Sequence, residues 1–190
     1  GDITPLQKKA EKREYRFVGS GCDWGGSDYD VSLKTKLSYT VHVMIGQKLD
    51  KTFDILHMKR YEGMSYRGVA DDIMHWHTKL KGDAMGADAG VGMAYNMLLR
   101  EHMDPARHLI FNYSEFNRYS LNKTDSITTL YFALKNRRVK CFKWIRAQEF
   151  LKDFLNLYRT HTDTPGGAST FVYRRHGARA DDTLHALNFA

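Results

Sequence analysis

The stretch YRFVGSGCDWGGSDYD, residues 15–30, decides how the rest of the chain is read. Its first half alternates in the manner of a strand, and its second half is a glycine-rich loop, with Asp23 at the join. Outward from it, KLSYTVHVMIG (residues 36–46) alternates β-branched and aromatic residues. KTFDILHMKRYEG (residues 51–63) follows after a short link. Three strands in a row with short links predict an antiparallel meander.

The period then changes. In SYRGVADDIMHWHTKLKG (residues 65–82), Val69, Ile73, Trp76 and Leu80 recur at helical spacing and Gly82 stops the helix. DAMGAD (83–88) reads as a short strand, GVGMAYNMLLREH (90–102) as a helix stopped near Pro105, and RHLIFNY (107–113) as a strand. TDSITTLYFALKNRR (124–138) is a helix capped by Thr124 or Asp125, and VKCFKW (139–144) a strand. AQEFLKDFLNLYRT (147–160) reads as one helix, GASTFVYRRHG (167–177) as a strand and ADDTLHALNFA (180–190) as a closing helix. The expected architecture is α/β, a mixed sheet of an antiparallel three-strand meander plus parallel strands, with helices on both faces. Residues 1–14, polar and mixed in charge, are expected to be a tail or linker remnant, and residues 15–190 a single domain.

Composition bounds the function. The chain has 190 residues, 42% hydrophobic and 27% charged, with a net charge of +7. A domain of this length buries roughly 70% of its unfolded surface, so neither disulfide nor metal staples are needed. Cys22 and Cys141 stand alone, and a reducing compartment is the easier reading. No apolar run approaches the ~18 residues of a membrane span, so no membrane partner is expected. The excess of Lys and Arg hints at a polyanion.

Four acids sit where an α/β sheet gathers ligands. Asp23 ends the first strand, Asp88 ends the strand of 83–88, and Asp181 and Asp182 open the last helix. Each has a plainer reading: Asp23 as a turn former, Asp88 as a cap of the next helix, and Asp181 or Asp182 as a helix cap. Together they sit on elements that the topology brings close. Converging carboxylates repel unless hard divalent cations join them. Two such ions ~4 Å apart serve in-line phosphoryl displacement.

GCDWGGSD (21–28), GADAGVG (86–92) and RADDTLHALNFA (179–190) resemble, in that order, the three acidic motifs of the ribonuclease-H-like nuclease domain of viral large terminase subunits. The resemblance covers the chain from about Tyr15. It implies a ribonuclease-H-like fold and a metal-dependent endonuclease that cuts concatemeric double-stranded DNA, with low sequence specificity, during genome packaging. It also implies Mg²⁺ or Mn²⁺, two ions, held by Asp23, Asp88 and Asp182 or Asp181. Where many relatives carry a His before the Asp pair and an Asp three positions after it, this chain has Ala180 and His185. The implied partners are double-stranded DNA, a terminase ATPase domain, the small terminase subunit and the portal, in the cytoplasm of an infected bacterial host. No Walker-A motif occurs, so the ATPase domain is absent from this chain.

Two groups of cations are candidate phosphate contacts: Lys135, Arg137, Arg138, Lys140 and Lys143, and Arg174, Arg175 and Arg179 ahead of the last acids. They are expected to form a basic rim around the acidic site. Asp28 and Asp30 read as turn formers. Zinc is set aside, since His75 and His77, two apart on a helix, do not share a face. Alternatives with the same acids are a Holliday-junction resolvase, a ribonuclease H, or a non-catalytic DNA-binding or assembly module of a packaging complex.

Overall fold

The computed structural model of the chain describes residues 4–25, 29–30, 35–36, 38–90, 92–111, 121–142, 146–163, 169–177 and 179–190. In chain order the elements are α1 (Pro5–Glu11), β1 (Phe17–Asp23), β2 (Tyr29–Asp30), β3 (Thr35–Lys36), β4 (Thr40–Gln47), β5 (Phe53–Tyr61) and α2 (Tyr66–Lys79). They continue with β6 (Ala84–Asp88), α3 (Met93–Arg100), β7 (His108–Phe111), α4 (Lys123–Lys135), β8 (Val139–Cys141) and α5 (Ala147–Leu151). The last three are β9 (Leu157–Asp163), β10 (Ser169–Arg175) and α6 (Asp182–Phe189).

Six strands form one mixed sheet in the order β7-β6-β1-β4-β5-β8. The β1–β4–β5 meander is antiparallel, and β6, β7 and β8 add in parallel. Alternation along β1 sends Val18, Ser20 and Cys22 to one face and Gly19, Gly21 and Asp23 to the other. On the first face lie α1, α2 and α3. Ile73, Leu80 and Leu99 are sealed there against Val18, Met85, Met44 and Leu56. Burying a side chain such as Ile73, 0% exposed, stabilises by about 1.5–3 kcal/mol. On the second face α4, α5 and α6 cover Val41, Val43 and Ile55 with Ile127, Phe150, Leu184 and Leu187. The expected mixed sheet with helices on both faces is what the chain forms.

Two expectations are corrected. Residues 5–11 of the expected tail form a helix: Thr4 and Gln7 close a capping box, Pro5 starts the first turn, and Ala10 is buried against the sheet. The single helix expected over 147–160 breaks after α5. A 3-10 turn (Lys152–Leu155) follows, and residues 157–163 become β9, paired antiparallel with β10 in a separate two-stranded ribbon. Asn156 ends the helical run, its amide donating to the Ala180 carbonyl at 2.6 Å. Beyond it, backbone pairing with Ser169–Arg175 overrides the helical spacing of the apolar residues.

Candidate active site

Three glycines set the position of α6. A Cβ on Gly21 would overlap the Ala186 carbonyl oxygen and lie 2.5 Å from the Ala190 nitrogen. One on Gly19 would overlap the Ala190 carbonyl, and one on Gly86 of β6 would overlap that of Phe189. The helix backbone thus rests directly on the sheet, its C-terminal end over Gly19 and its N-terminal end toward Asp23. The same alternation that gives α6 its track places Asp23 two residues beyond Gly21, and Asp88 two beyond Gly86.

The start of α6 is held by other elements. Asp181, at the N-cap, makes no capping hydrogen bond of its own. Asp153, from the 3-10 turn before β9, accepts the Thr183 N–H at 3.0 Å instead. Arg60 at the end of β5 donates to both Asp153 oxygens, at 3.3 and 3.1 Å, and its guanidinium lies 4.3 Å from the Tyr39 ring centre. Trp24 fixes the chain after Asp23: it stacks on Tyr95 at 4.6 Å and packs where any Gly92 side chain would sit.

The four acids meet at this end of the sheet. Asp23 is held well above the usual carboxylate range, by burial first and then by the charges of Asp182, Asp88 and Asp181, with Lys123 opposing. Asp88 is raised by burial, against the N–H groups of Gly90 and Ala89 and the charges of His185 and Lys123. Asp182 is raised by burial, with Ser38 and the Tyr39 backbone opposing and Asp181 and Asp153 adding to it. Asp181 differs. Burial pushes it up, but the His185 ring, 3.1 Å away, together with Arg175 and Lys123, outweighs that and holds it below the usual range.

Three of the four carboxylates have a local tie. Asp88 accepts the Gly90 N–H at 3.0 Å, Asp181 pairs with His185 and with Arg175 at 3.7 Å, and Asp182 Oδ1 accepts the Ser38 hydroxyl at 2.8 Å. Accordingly, among the described residues no three His, Cys, Asp or Glu side chains close into a ready-made metal cage. One oxygen stays over. Asp182 Oδ2 is buried in a residue only 2% exposed and has no partner among the described residues. An all-carboxylate donor set with an orphaned buried oxygen fits a hard divalent cation.

The family model described as the terminase RNaseH-like domain matches residues 20–190. The chain belongs to that family. Among solved structures, it resembles the large terminase nuclease of the thermophilic phage G20c (19% identity, TM-score 0.60, covering 93% of this chain and 83% of that one). It also resembles the large terminase of bacteriophage HK97 (12%, 0.63), matching 98% of this chain but only 42% of that one. A third is a mutant gp2c of the large terminase subunit of bacteriophage Sf6, with calcium (12%, 0.63, covering 95% and 92%). At these identities the structural likeness is one of fold. No curated protein matches the chain in sequence.

The cations of this terminase domain divide between the two ends of the sheet. Arg174, Arg175 and Arg179 lie at the acid end, Arg175 in an ion pair with Asp181. Lys135, Arg137, Arg138 and Lys140 lie at the other end. Arg138 accepts the Phe53 N–H on its carbonyl and donates its guanidinium to the Lys51 carbonyl, and Lys140 of β8 lies in register with Asp54 of β5. The nine residues of β5 put ~26 Å between Phe53 and the acid end. The basic rim expected around the acids is therefore corrected for this group, because a helix-to-strand crossover opens at the opposite end from the strand tips. Lys143 and Asp28 lie outside the described residues.

Sequence reasoning passed over Lys123, Ser38, Asp153 and Arg60. Lys123, first residue of α4, bears electrostatically on Asp23, Asp88 and Asp181. Its only signal was Asn122, whose side chain caps the helix by accepting the Asp125 N–H at 2.9 Å.

Proposed function

We propose that this chain is a metal-dependent endonuclease domain of a large terminase, cutting concatemeric double-stranded DNA with low sequence specificity during genome packaging. The observation that carries the reading is the gathering of Asp88, Asp181 and Asp182 around Asp23, with Asp182 Oδ2 buried and without a partner among the described residues. Asp23, Asp88 and Asp182 would hold two Mg²⁺ or Mn²⁺ ions. The calcium named for the Sf6 domain is a hard cation of the same class. Bound there, the ions would supply the Lewis acidity for in-line attack of water on a phosphodiester.

The chain's own residues bind and orient. Asp23 serves from the middle of the set, which suits a shared ligand. Ser38 holds the Asp182 carboxylate in one rotamer, leaving Oδ2 for a cation. Asp181, tied to His185 and Arg175, is assigned to support. Arg174 and Arg179, exposed at the same end, would contact flanking phosphates. In the infected host cell the partners would be the terminase ATPase domain, the small terminase subunit and the portal.

Plasmid digestion with Mn²⁺ tests the reading, comparing wild type with Asp23→Asn, Asp88→Asn and Asp182→Asn. Wild type should cut, and each variant should lose at least 10²-fold in rate. Cleavage equal to wild type in all three variants refutes the site, and an inactive wild type that still binds duplex points to a non-catalytic packaging module. Preference for four-way junctions or RNA–DNA hybrids over linear duplex would instead favour a resolvase or a ribonuclease H.

A further inference from the structure

At the end of the sheet away from the acids, a groove of ≈ 430 Å³ opens between the C-terminal end of α2, the turn after α1 and the 3-10 turn before β7. Arg13, Lys81 and Arg107 line it, with His77, His102 and a single carboxylate, Asp104. Asp104 is already engaged, accepting the Ala106 N–H at 2.9 Å. Asp83 stands 4.0 Å from Arg13 and also accepts the Val18 N–H at 2.8 Å. Among the described residues neither Lys81 nor Arg107 has a carboxylate partner.

The groove is built rather than incidental. Its buried wall is His77, 7% exposed, whose Nδ1 lies 2.9 Å from the Ser20 hydroxyl of β1. Burial, with Arg107 adding and Asp83 opposing, draws this imidazole down to about 4, so it brings no charge of its own at neutral pH. Gly82 leaves room for that ring, since any side chain there would overlap it. Arg13 and Lys81 both hold left-handed backbone, φ 56° and 58°, immediately after α1 and α2. Glycine is the usual occupant of that position. A second groove shares Met74, Thr78 and His102 with the first and adds Lys79 and His75, extending the basic track along α2.

We propose that this groove binds phosphate: Arg13 and Arg107 as guanidinium forks and Lys81 as a point charge, on a site separate from the acids. A guanidinium fork matches two phosphate oxygens at once, and an ammonium adds charge without geometry. The phosphate is either a free one or a diester of the nucleic-acid backbone, and both present the same oxygens.

The test uses the full chain in EDTA, so that its outcome does not depend on whether the acids cut DNA. Amide shifts are followed by NMR during titration with inorganic phosphate and with pyrophosphate. Duplex binding is followed by fluorescence anisotropy over a range of salt. The variant is Lys81→Asn with Arg107→Gln, because Asn tolerates left-handed backbone, and its melting temperature checks the fold. Saturable shifts centred on residues 78–83 and 104–107 are expected, weakened at least tenfold in the variant. Weaker duplex binding by the variant, with a salt slope smaller by about 1–2, assigns the phosphate to DNA. Unchanged duplex binding assigns it to a free phosphate. Absence of saturable shifts, shifts of wild-type size in the double variant, or binding of a poly-glutamate peptide without binding of either phosphate overturns the proposal.

Discussion

Replacing Gly21 by alanine tests the account of how the acids come together. The new methyl carbon would sit 2.5 Å from the Ala190 nitrogen and overlap the Ala186 carbonyl. Ordinary contact needs ~3.5–4.0 Å, so α6 has to rise by at least about 1 Å. Overpacking a core costs about 1–3 kcal/mol, and here the obstacle is helix backbone with no rotamer to change. A loss of about 3 kcal/mol follows, or about 6–12 °C in melting temperature for a domain of this size. Urea unfolding monitored by circular dichroism measures it. Gly68→Ala is the control: it lies in the first turn of α2, where a Cβ would meet the Ser65 hydroxyl at 3.3 Å. Removing glycine's backbone freedom there should leave stability unchanged or raise it by up to about 1 kcal/mol. The same 1 Å would part Asp182 from Asp23, so Mn²⁺ should raise the melting temperature of the wild type, on the proposed metal site, but not that of Gly21→Ala. A Gly21→Ala protein within about 0.5 kcal/mol of wild type, with its Mn²⁺ response intact, refutes the glycine track.

Three further outcomes are expected. Burial holds His42, His57, His77 and His108 neutral, His57 down to about 3 and His77 and His108 to about 4, whereas the unfolded chain takes up these protons below about 6.5. The unfolded state thus binds more protons between about pH 4 and 6.5, and each imidazole withdraws up to about 2 kcal/mol of stability by pH 5. Asp23, Asp88, Asp153 and Asp182, raised in the fold, work in the opposite direction as pH falls. His57→Phe, which keeps a ring against Trp76, should shrink the loss between pH 7 and pH 5 by about 2 kcal/mol in urea unfolding, and an unchanged loss contradicts this. Arg60→Ala strands Asp153, 2% exposed, without its cation, and should cost about 3 kcal/mol by the same measurement; a near-neutral result would mean that Thr183 alone satisfies it. Ser38→Ala removes the hydroxyl on Asp182 and should weaken Mn²⁺ binding 10–100-fold in calorimetry, with equal affinity refuting the positioning role.

How far the sequence was legible depended on whether a residue's meaning was local. Strand alternation, glycine stops and the change of period to the helix of 66–79 are local, and the sheet with its two helical layers followed from them. Asp23, Asp88 and the Asp181–Asp182 pair were legible because each stands at the tip of a strand or the start of a helix. The helical run through 157–160 misled because a strand partner ten or more residues away decides that segment. Asp153 read as one more polar residue of that run, and only the fold shows it capping a helix thirty positions downstream. The glycines at 19, 21 and 86 carried no hint of what would lie on them. The Lys135–Lys140 group shows a different fault: clustered charge alone carries no information about which end of the sheet it lies at. A crossover helix returning to a parallel strand ends at that strand's beginning, which is the far end of the sheet.

The seating of α6 on β1 and β6 also bears on when the acids can first meet. In the order of synthesis Asp23 precedes Asp88, and the helix carrying Asp181 and Asp182 is translated after every strand of the sheet. Until then Gly19, Gly21 and Gly86 form an uncovered furrow, and the face shared by Val41, Val43 and Ile55 lacks Leu184 and Leu187. Contacts between residues far apart in sequence also slow folding. The carboxylate cluster is thus assembled only once α6 has seated on the sheet, and a polypeptide that stops short of Asp181 lacks two of its four acids.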